Sequence, residues 1–292
     1  MKKLNGKNIF FIVAVGCLFF SGVAAMIYPT ISNIYSMMNS RTAISGYQQE
    51  VAKMDNSEID GIFEKADKFN YDVSRRIYND GYERCLCNAD GLMCYVDIPT
   101  IGVYLPVYYG TTDDVLAKGA GYLLNTSLPV GGAATHSVIS AHTGLPSADM
   151  FTKLDQVRID DVFYIHVLDR VLAYKVDKIK VVYPDVVSDL EIKKDKDYLT
   201  LLTCTPYGVN DKRLLVRGVR VEYDPDPKEP DETSDALPTQ DDVDKDLRKE
   251  INQQLYFVTG VAAGAVIIYL AAVLWLVRTI RRTLPDPQEK PE

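Results

Sequence analysis

Hydrophobic positions are spread unevenly along the chain. Residues 9–28 (IFFIVAVGCLFFSGVAAMIY) and 255–277 (LYFVTGVAAGAVIIYLAAVLWLV) carry no charge. Each is long enough to cross a hydrocarbon core about 30 Å thick. The first begins at about residue 8, behind Lys2, Lys3 and Lys7, and stays apolar past Ala25. That is longer than the apolar stretch of a signal peptide and predicts an uncleaved anchor over 8–28. Arg278, Arg281 and Arg282 directly follow the second stretch. Basic residues outside both spans predict a cytoplasmic N-terminus (1–7), a cytoplasmic tail (278–292), and residues 30–250 on the outer side of the membrane.

Between the spans the hydrophobic period changes. Ile59, Ile62, Phe63, Ala66, Val73 and Ile77 recur at helical spacing behind a loose capping signal at Ser57 and Asp60. Ile44, Tyr47, Val51 and Met54 predict a second, weaker helix over 44–54. Residues 30–91 are therefore expected to be helical. From residue 92 short apolar runs separated by turn residues take over: MCYVDIP, VYLPVYY, SVISAH, DVFYIHVLD, VLAYKVDKIKVVYP, YLTLLTC and RLLVRGVRVEY. Asp169 and Arg170 suit a tight connection, while DVLAK and DMFTKL suit single helical turns. The pattern predicts a mainly β domain over 92–223, with seven or eight strands in a small closed or nearly closed barrel.

Charge adds one more segment. The chain has 292 residues, 47% hydrophobic and 25% charged, with a net charge of −8. Residues 224–250 hold eleven acidic against four basic residues, so −7 of that charge lies there. Rich in proline and poor in large apolar groups, this segment is expected to be an extended, solvated stalk. No basic patch with interleaved aromatics occurs, which excludes the usual signature of nucleic-acid binding.

Few residues are suited to chemistry. Of the three histidines, His166 sits within an alternating strand and reads as structural, and His136 and His142 flank an apolar run. His142 ends that run and is followed by Thr143, Gly144 and Pro146, a strand-to-loop junction where catalytic groups are well placed. Of the five cysteines, Cys17 lies in the first span. Cys85, Cys87 and Cys94 form a Cys-x-Cys plus a third, a spacing ill suited to zinc, and leave open a disulfide from Cys94 to Cys85 or Cys87, or free thiols. Neither a metal nor a cofactor is implied. Cys204 closes the run TLLTC, and Arg213 opens the next predicted strand, so both are expected at one edge of the sheet. A thiol, an imidazole and a guanidinium are the parts of an acyl-transfer site. The thiol attacks a carbonyl, the imidazole manages its proton, and the permanently charged guanidinium supports the oxyanion.

The strings GTTDDVLAKGAGYL, NTSLPVGG, THSVISAHTGLP, DMFTKLD, DVFYIHVL and TLLTCTPYGVN…RLLVRG resemble the sortases, cysteine transpeptidases of Gram-positive surfaces, and among them class C, the pilus-assembling group. The resemblance covers roughly 92–223 and implies an eight-stranded sortase β-barrel with N-terminal helices and two transmembrane helices. It implies His142, Cys204 and Arg213 as catalytic residues and Thr203 as a substrate-holding residue, with Arg217 and Arg220 as secondary candidates. The implied reaction cleaves an LPXTG-like sorting signal through a thioacyl-enzyme and joins the Thr carbonyl to a lysine of a pilin subunit, with hydrolysis as a side reaction. The implied location is the cell membrane with the catalytic domain outside. Two alternatives stand beside it: a sortase that anchors proteins to a peptidoglycan amine, and a membrane-tethered binding or redox module with a structural Cys204.

The sequence departs from the class C pattern twice. No Asp-Pro-aromatic lid motif occurs in residues 30–94, which leaves open whether a lid covers the site and whether a cysteine near 85–94 masks Cys204 as a disulfide. Asp211-Lys212 stands where a Thr-His pair is frequent, a change expected to tune access.

Overall fold

The computed structural model describes residues 6–77, 81–223 and 240–283. The chain divides into two compact units, residues 1–34 with 240–292, and residues 35–239.

The first unit is helical. It contains the start of α1 (Gly6–Val51) and α4 (Gln240–Thr283). Ile9–Val51 and Ile251–Thr279 are both long and apolar enough to cross a membrane. The two helices touch where the Tyr269 hydroxyl donates to the Ile12 carbonyl at 3.2 Å. A Cβ at Gly16 would collide with the Tyr269 ring, so this approach depends on glycine.

Two sequence expectations are corrected here. The helix expected over 44–54 is not separate but the end of α1, which runs unbroken for 46 residues. After Pro29 the chain to Val51 contains no proline, and extending a formed helix costs far less than nucleating a new one. The acidic segment is likewise not extended throughout: residues 240–250 form the start of α4. Pro238 is the last proline of the segment, so no missing N–H interrupts the helix that begins at Gln240. The rest of the stalk, 224–239, lies outside the described residues.

The second unit holds the barrel. α2 (Asn56–Ser74) is capped by Asp55, whose carboxylate accepts from the Glu58 amide at 2.8 Å. The cap thus falls two residues before Ser57, because Asp55 and Glu58 supply the acceptor and acidic third position of a capping box. Ile59, Phe63, Ala66, Phe69 and Val73 form the buried face of α2, and Ile77 lies past its end. Asn70, also buried, fastens the helix to the barrel: its amide donates to the Leu128 carbonyl, and its oxygen accepts from the Leu128 N–H at 2.6 Å.

Eight strands close the barrel: β1 (Leu92–Ile98), β2 (Val103–Tyr109), β3 (Ala120–Tyr122), β4 (Thr135–Ser140), β5 (Val162–Val167), β6 (Arg170–Val182), β7 (Asp197–Thr205) and β8 (Lys212–Val221). Their order is β1-β2-β3-β4-β7-β8-β6-β5, with β5 returning to β1. The pairs β2–β3 and β4–β7 are parallel and the others antiparallel. A single helical turn, α3 (Asp113–Leu116), leads into β3. The short β3 was absent from the strand candidates because its sequence, KGAGYL, is glycine-rich. The reason is packing: a Cβ at Gly119 would strike the Pro106 carbonyl, and one at Gly121 the Gly110 carbonyl. The β5–β6 connection is tight, with Val167 paired to Arg170, so its two turn residues are Leu168 and Asp169.

Candidate active site

Pairing across β7 and β8 determines which side chains share a face. Leu199, Leu201 and Thr203 on β7, with Leu214 and Val216 on β8, are buried in the barrel interior. The alternate residues face outward, and directly paired residues point to the same side. Cys204 pairs with Arg213, Leu202 with Leu215, and Thr200 with Arg217. Cys204 and Arg213 therefore form one outward-facing row, as the sequence places them, and both are half-buried.

His142 reaches the same edge from β4. Ser140 pairs with Leu202 in the parallel β4–β7 ladder, and the Ala141 N–H continues it by donating to the Leu202 carbonyl at 3.1 Å. Two residues beyond Ser140 and two beyond Leu202, His142 and Cys204 leave the barrel side by side. The loop after His142 folds back on itself. The Phe151 N–H donates to the His142 carbonyl at 3.1 Å, and the Gly144 N–H to the Thr152 hydroxyl at 3.0 Å. Gly144 has φ +73°, and a Cβ there would lie 3.0 Å from the Tyr207 ring. The loops that follow His142 and Cys204 thus touch through Gly144 and Tyr207, a contact the sequence analysis did not single out.

The turn between Cys204 and Arg213 is built by Pro206, whose carbonyl accepts from the Val209 and Asn210 amides at 3.1 and 2.9 Å. Gly208 and Asn210 take positive φ, as the glycine and asparagine in this turn allow. Arg213 donates through one guanidinium nitrogen to the Asn210 and Lys212 carbonyls at 3.1 and 3.0 Å, which orients it toward the turn. Lys212, one of the two departures from the family pattern, stands over the Tyr183 ring, and Asp211 is exposed.

Thr203 differs from its expected part. Its side chain points into the barrel, 2% exposed, and its hydroxyl donates to the Ala141 carbonyl at 2.8 Å. An inward threonine with its hydrogen bond already made is not placed to grip a substrate on the outer face. It ties the residue before Cys204 to the residue before His142. Arg217 is also engaged: it makes a two-pronged contact with Asp177, at 2.9 and 2.7 Å, and covers the Tyr198 ring.

The other histidines are structural. The His136 Nδ1 donates to the Glu191 carbonyl at 3.1 Å, which leaves Nε2 to accept from the Thr200 hydroxyl at 2.8 Å. His166 stacks on Tyr95 with ring centroids 4.4 Å apart, and its Nε2 is buried without a partner. Cys85, Cys87 and Cys94 are free thiols, so the disulfide alternative is not what forms here. Burial pushes Cys85 and Cys87 up to about 11, and Cys94, fully buried, higher still. Cys85 and Cys87 pack against the main hydrophobic core, unlike the outward-facing Cys204. Among the described residues no group of histidine, cysteine and carboxylate side chains is arranged to hold a metal ion.

A closed barrel thus carries a thiol, an imidazole and a guanidinium toward one rim, and comparison with known proteins identifies the family. The Sortase domain family matches residues 96–221, and the chain belongs to the sortase family of cysteine transpeptidases. Within that family its structural neighbours are of class C. Sortase C from Clostridium perfringens, solved with the C-terminal cell wall sorting motif, is 46% identical with a TM-score of 0.59, over 62% of this chain and 99% of that one. Sortase C-1 from Streptococcus pneumoniae is 44% identical with a TM-score of 0.58, again over 62% and 99%. Among curated relatives, Sortase D of Bacillus subtilis is 28% identical over 136 residues, 46% of this chain and 64% of that protein's length.

Proposed function

We propose that this chain is a membrane-anchored pilin transpeptidase that uses Cys204, His142 and Arg213. The observation that carries the reading is the outward row of Cys204 and Arg213, with His142 leaving the neighbouring strand at the same rim. The Cys204 sulfur attacks the threonine carbonyl of an LPXTG-like sorting signal. His142 takes the thiol proton and returns it to the departing glycine amine as the Thr–Gly bond breaks. Arg213 supplies positive charge to the oxyanion of each tetrahedral intermediate. A pilin lysine amine then attacks the thioester, its proton passes to His142, and the thiolate leaves as the new amide forms. Water in place of lysine gives hydrolysis. Thr203 contributes by keeping the two loops in register. The basic residues flanking both apolar stretches support an outward-facing catalytic domain, close to membrane-held precursors.

The test is mass spectrometry of the full chain in detergent micelles with an LPXTG peptide, beside Cys204→Ala. A peptide adduct on wild type alone, converted to an amide by a lysine acceptor peptide, supports the reading. An adduct resolved only by a peptidoglycan-type amine would replace pilin joining with wall anchoring. Equal adduct on Cys204→Ala would remove Cys204 from the mechanism.

A further inference from the structure

The charge of the segment that leads into α4 changes sign near the apolar stretch. Residues 224–244 hold nine acidic residues against Lys228, whereas residues 245–250 hold Lys245, Arg248 and Lys249 against Asp246 and Glu250. The uncharged stretch begins five residues later, at Leu255. α4 runs unbroken through this junction. On it Arg248, Asn252 and Tyr256 are spaced by four, as are Lys249 and Gln253, so these side chains lie beside one another on one face. By its spacing Lys245 falls at the centre of that face, Asp246 at its edge and Glu250 beyond it. Arg248, Lys249, Asn252, Gln253 and Tyr256 are exposed and line one open groove. Among the described residues neither Arg248 nor Lys249 has an ion-pair partner.

The depth of this groove follows from the aromatic residues of α4. Tyr256 and Trp275, exposed at 79% and 68%, bracket the uncharged stretch. They lie about 28 Å apart along the helix axis, close to the thickness of a hydrocarbon core, about 30 Å. Aromatic rings so placed sit at the two membrane interfaces. With Tyr256 at one interface, Asn252 and Gln253 stand about 5 Å further out, and Arg248 and Lys249 about 11 Å. The long stems of Arg248 and Lys249 let their charges reach back toward the headgroups. Two cations, two amides and a phenol thus converge at the level of the lipid phosphates.

We propose that Arg248, Lys249, Asn252, Gln253 and Tyr256 form a binding site for the phosphodiester headgroup of an anionic phospholipid, in the leaflet where α4 enters the membrane. The guanidinium and the ammonium pair with the phosphate charge, the two amides donate to its oxygens, and the Tyr256 ring packs at the top of the acyl chains. Charge selects this occupant. The acidic residues 224–244 are repelled by an anionic surface, and the cationic turn offsets that repulsion at the point of entry. The same turn has no such attraction for a zwitterionic lipid. The site lies outside the barrel, takes no part in acyl transfer and does not depend on the transpeptidase reading.

Trp275 is the only tryptophan, so Trp275→Phe with Tyr256→Trp moves a single fluorescent reporter into the site. The experiment reconstitutes this full-length parent in phosphatidylcholine vesicles and adds brominated phosphatidylglycerol, whose bromines quench a nearby indole. Brominated phosphatidylcholine is the reference, and the ratio gives the lipid preference at the reporter. The parent is expected to prefer phosphatidylglycerol about tenfold, and Arg248→Gln with Lys249→Gln to bring the preference close to one. Asn252→Ala with Gln253→Ala keeps the charge and is expected to lower it about threefold. Lys193→Gln with Lys194→Gln removes the same charge from the barrel unit and should change nothing. No preference in the parent would overturn the site. A preference that survives the Arg248 and Lys249 changes, or that falls equally with Lys193 and Lys194, would overturn it too. Dependence on charge with no effect of Asn252 and Gln253 would replace the site by diffuse attraction. Relief of quenching by excess inorganic phosphate would assign the groove to free phosphate instead of lipid. Vesicle flotation and circular dichroism check that each variant inserts and stays helical. If the Arg248 and Lys249 variant fails to insert, the parent and the Asn252 and Gln253 variant still decide.

Discussion

The buried hydroxyl of Thr203 donates to the Ala141 carbonyl at 2.8 Å. These two residues immediately precede Cys204 and His142, on neighbouring parallel strands. This buried bond extends the β4–β7 ladder by one link at the point where the chain reaches His142 and Cys204. Thr203→Val is expected to leave the Ala141 carbonyl without this partner and to cost about 1–3 kcal/mol of stability. It should also lower the rate of thioacyl formation about tenfold through misplacement. Denaturant unfolding and adduct kinetics would check both, and Thr203→Ser should retain most of each.

Arg213 gives a sharper expectation. Its planar guanidinium donates to the Asn210 and Lys212 carbonyls while carrying charge at the rim. A lysine there keeps the charge, but its single ammonium nitrogen cannot hold these carbonyls and at the same time present the further donors of a planar guanidinium. Arg213→Lys should reduce kcat by about 10²–10³ while circular dichroism stays that of the wild type. Activity within threefold of wild type would remove Arg213 from the oxyanion role.

Acid sensitivity should come from the two structural histidines. Burial lowers His136 and His166 from 6.5 to about 4. Between those values the unfolded chain takes up protons that the folded chain refuses, so stability falls as pH drops from about 6.5 to 4. Asp97 opposes this, because burial raises its carboxyl to about 6, against the pull of Arg41, and the folded state gains a proton as pH falls. Asp67 and Asp197, also raised by burial, act in the same direction as Asp97, so the histidine contribution is best read from a variant that removes one imidazole. His166→Phe keeps a ring against Tyr95 and removes the unpartnered Nε2. Its stability relative to wild type should improve by about 1–2 kcal/mol between pH 7 and pH 5, read from urea unfolding at both. No improvement would show that His166 is not a source of the acid slope.

The helical region should prove inseparable from the barrel. The Tyr47 hydroxyl on α1 donates to the Met93 carbonyl at 3.0 Å and accepts from the Leu168 N–H at 2.7 Å. Tyr47→Phe leaves two backbone groups unpaired and should cost about 2–3 kcal/mol by unfolding measurements. A chain begun at residue 92 loses this link, the Asn70–Leu128 pair and the buried face of α2. It should aggregate or unfold under conditions where a chain begun at residue 35 stays folded and monodisperse.

Much of this protein follows from local pattern alone. Short apolar runs bounded by turn residues mark seven of the eight strands, two uncharged stretches mark the apolar helices, and the string TLLTC with Arg213 marks one edge of the sheet. These are legible because run length, span length and turn chemistry depend on neighbours in sequence. What needed the tertiary structure depends on residues far apart. β3 is a strand because its glycines let its backbone approach β2 closely, which no propensity records. Thr203 turns inward because β7 pairs with β8 and β4 in one register, so that its neighbour Cys204 must face out. Asp189 meets Lys178 and Lys180 only because the chain between β6 and β7 turns back toward β6, a pairing that no short run of residues records.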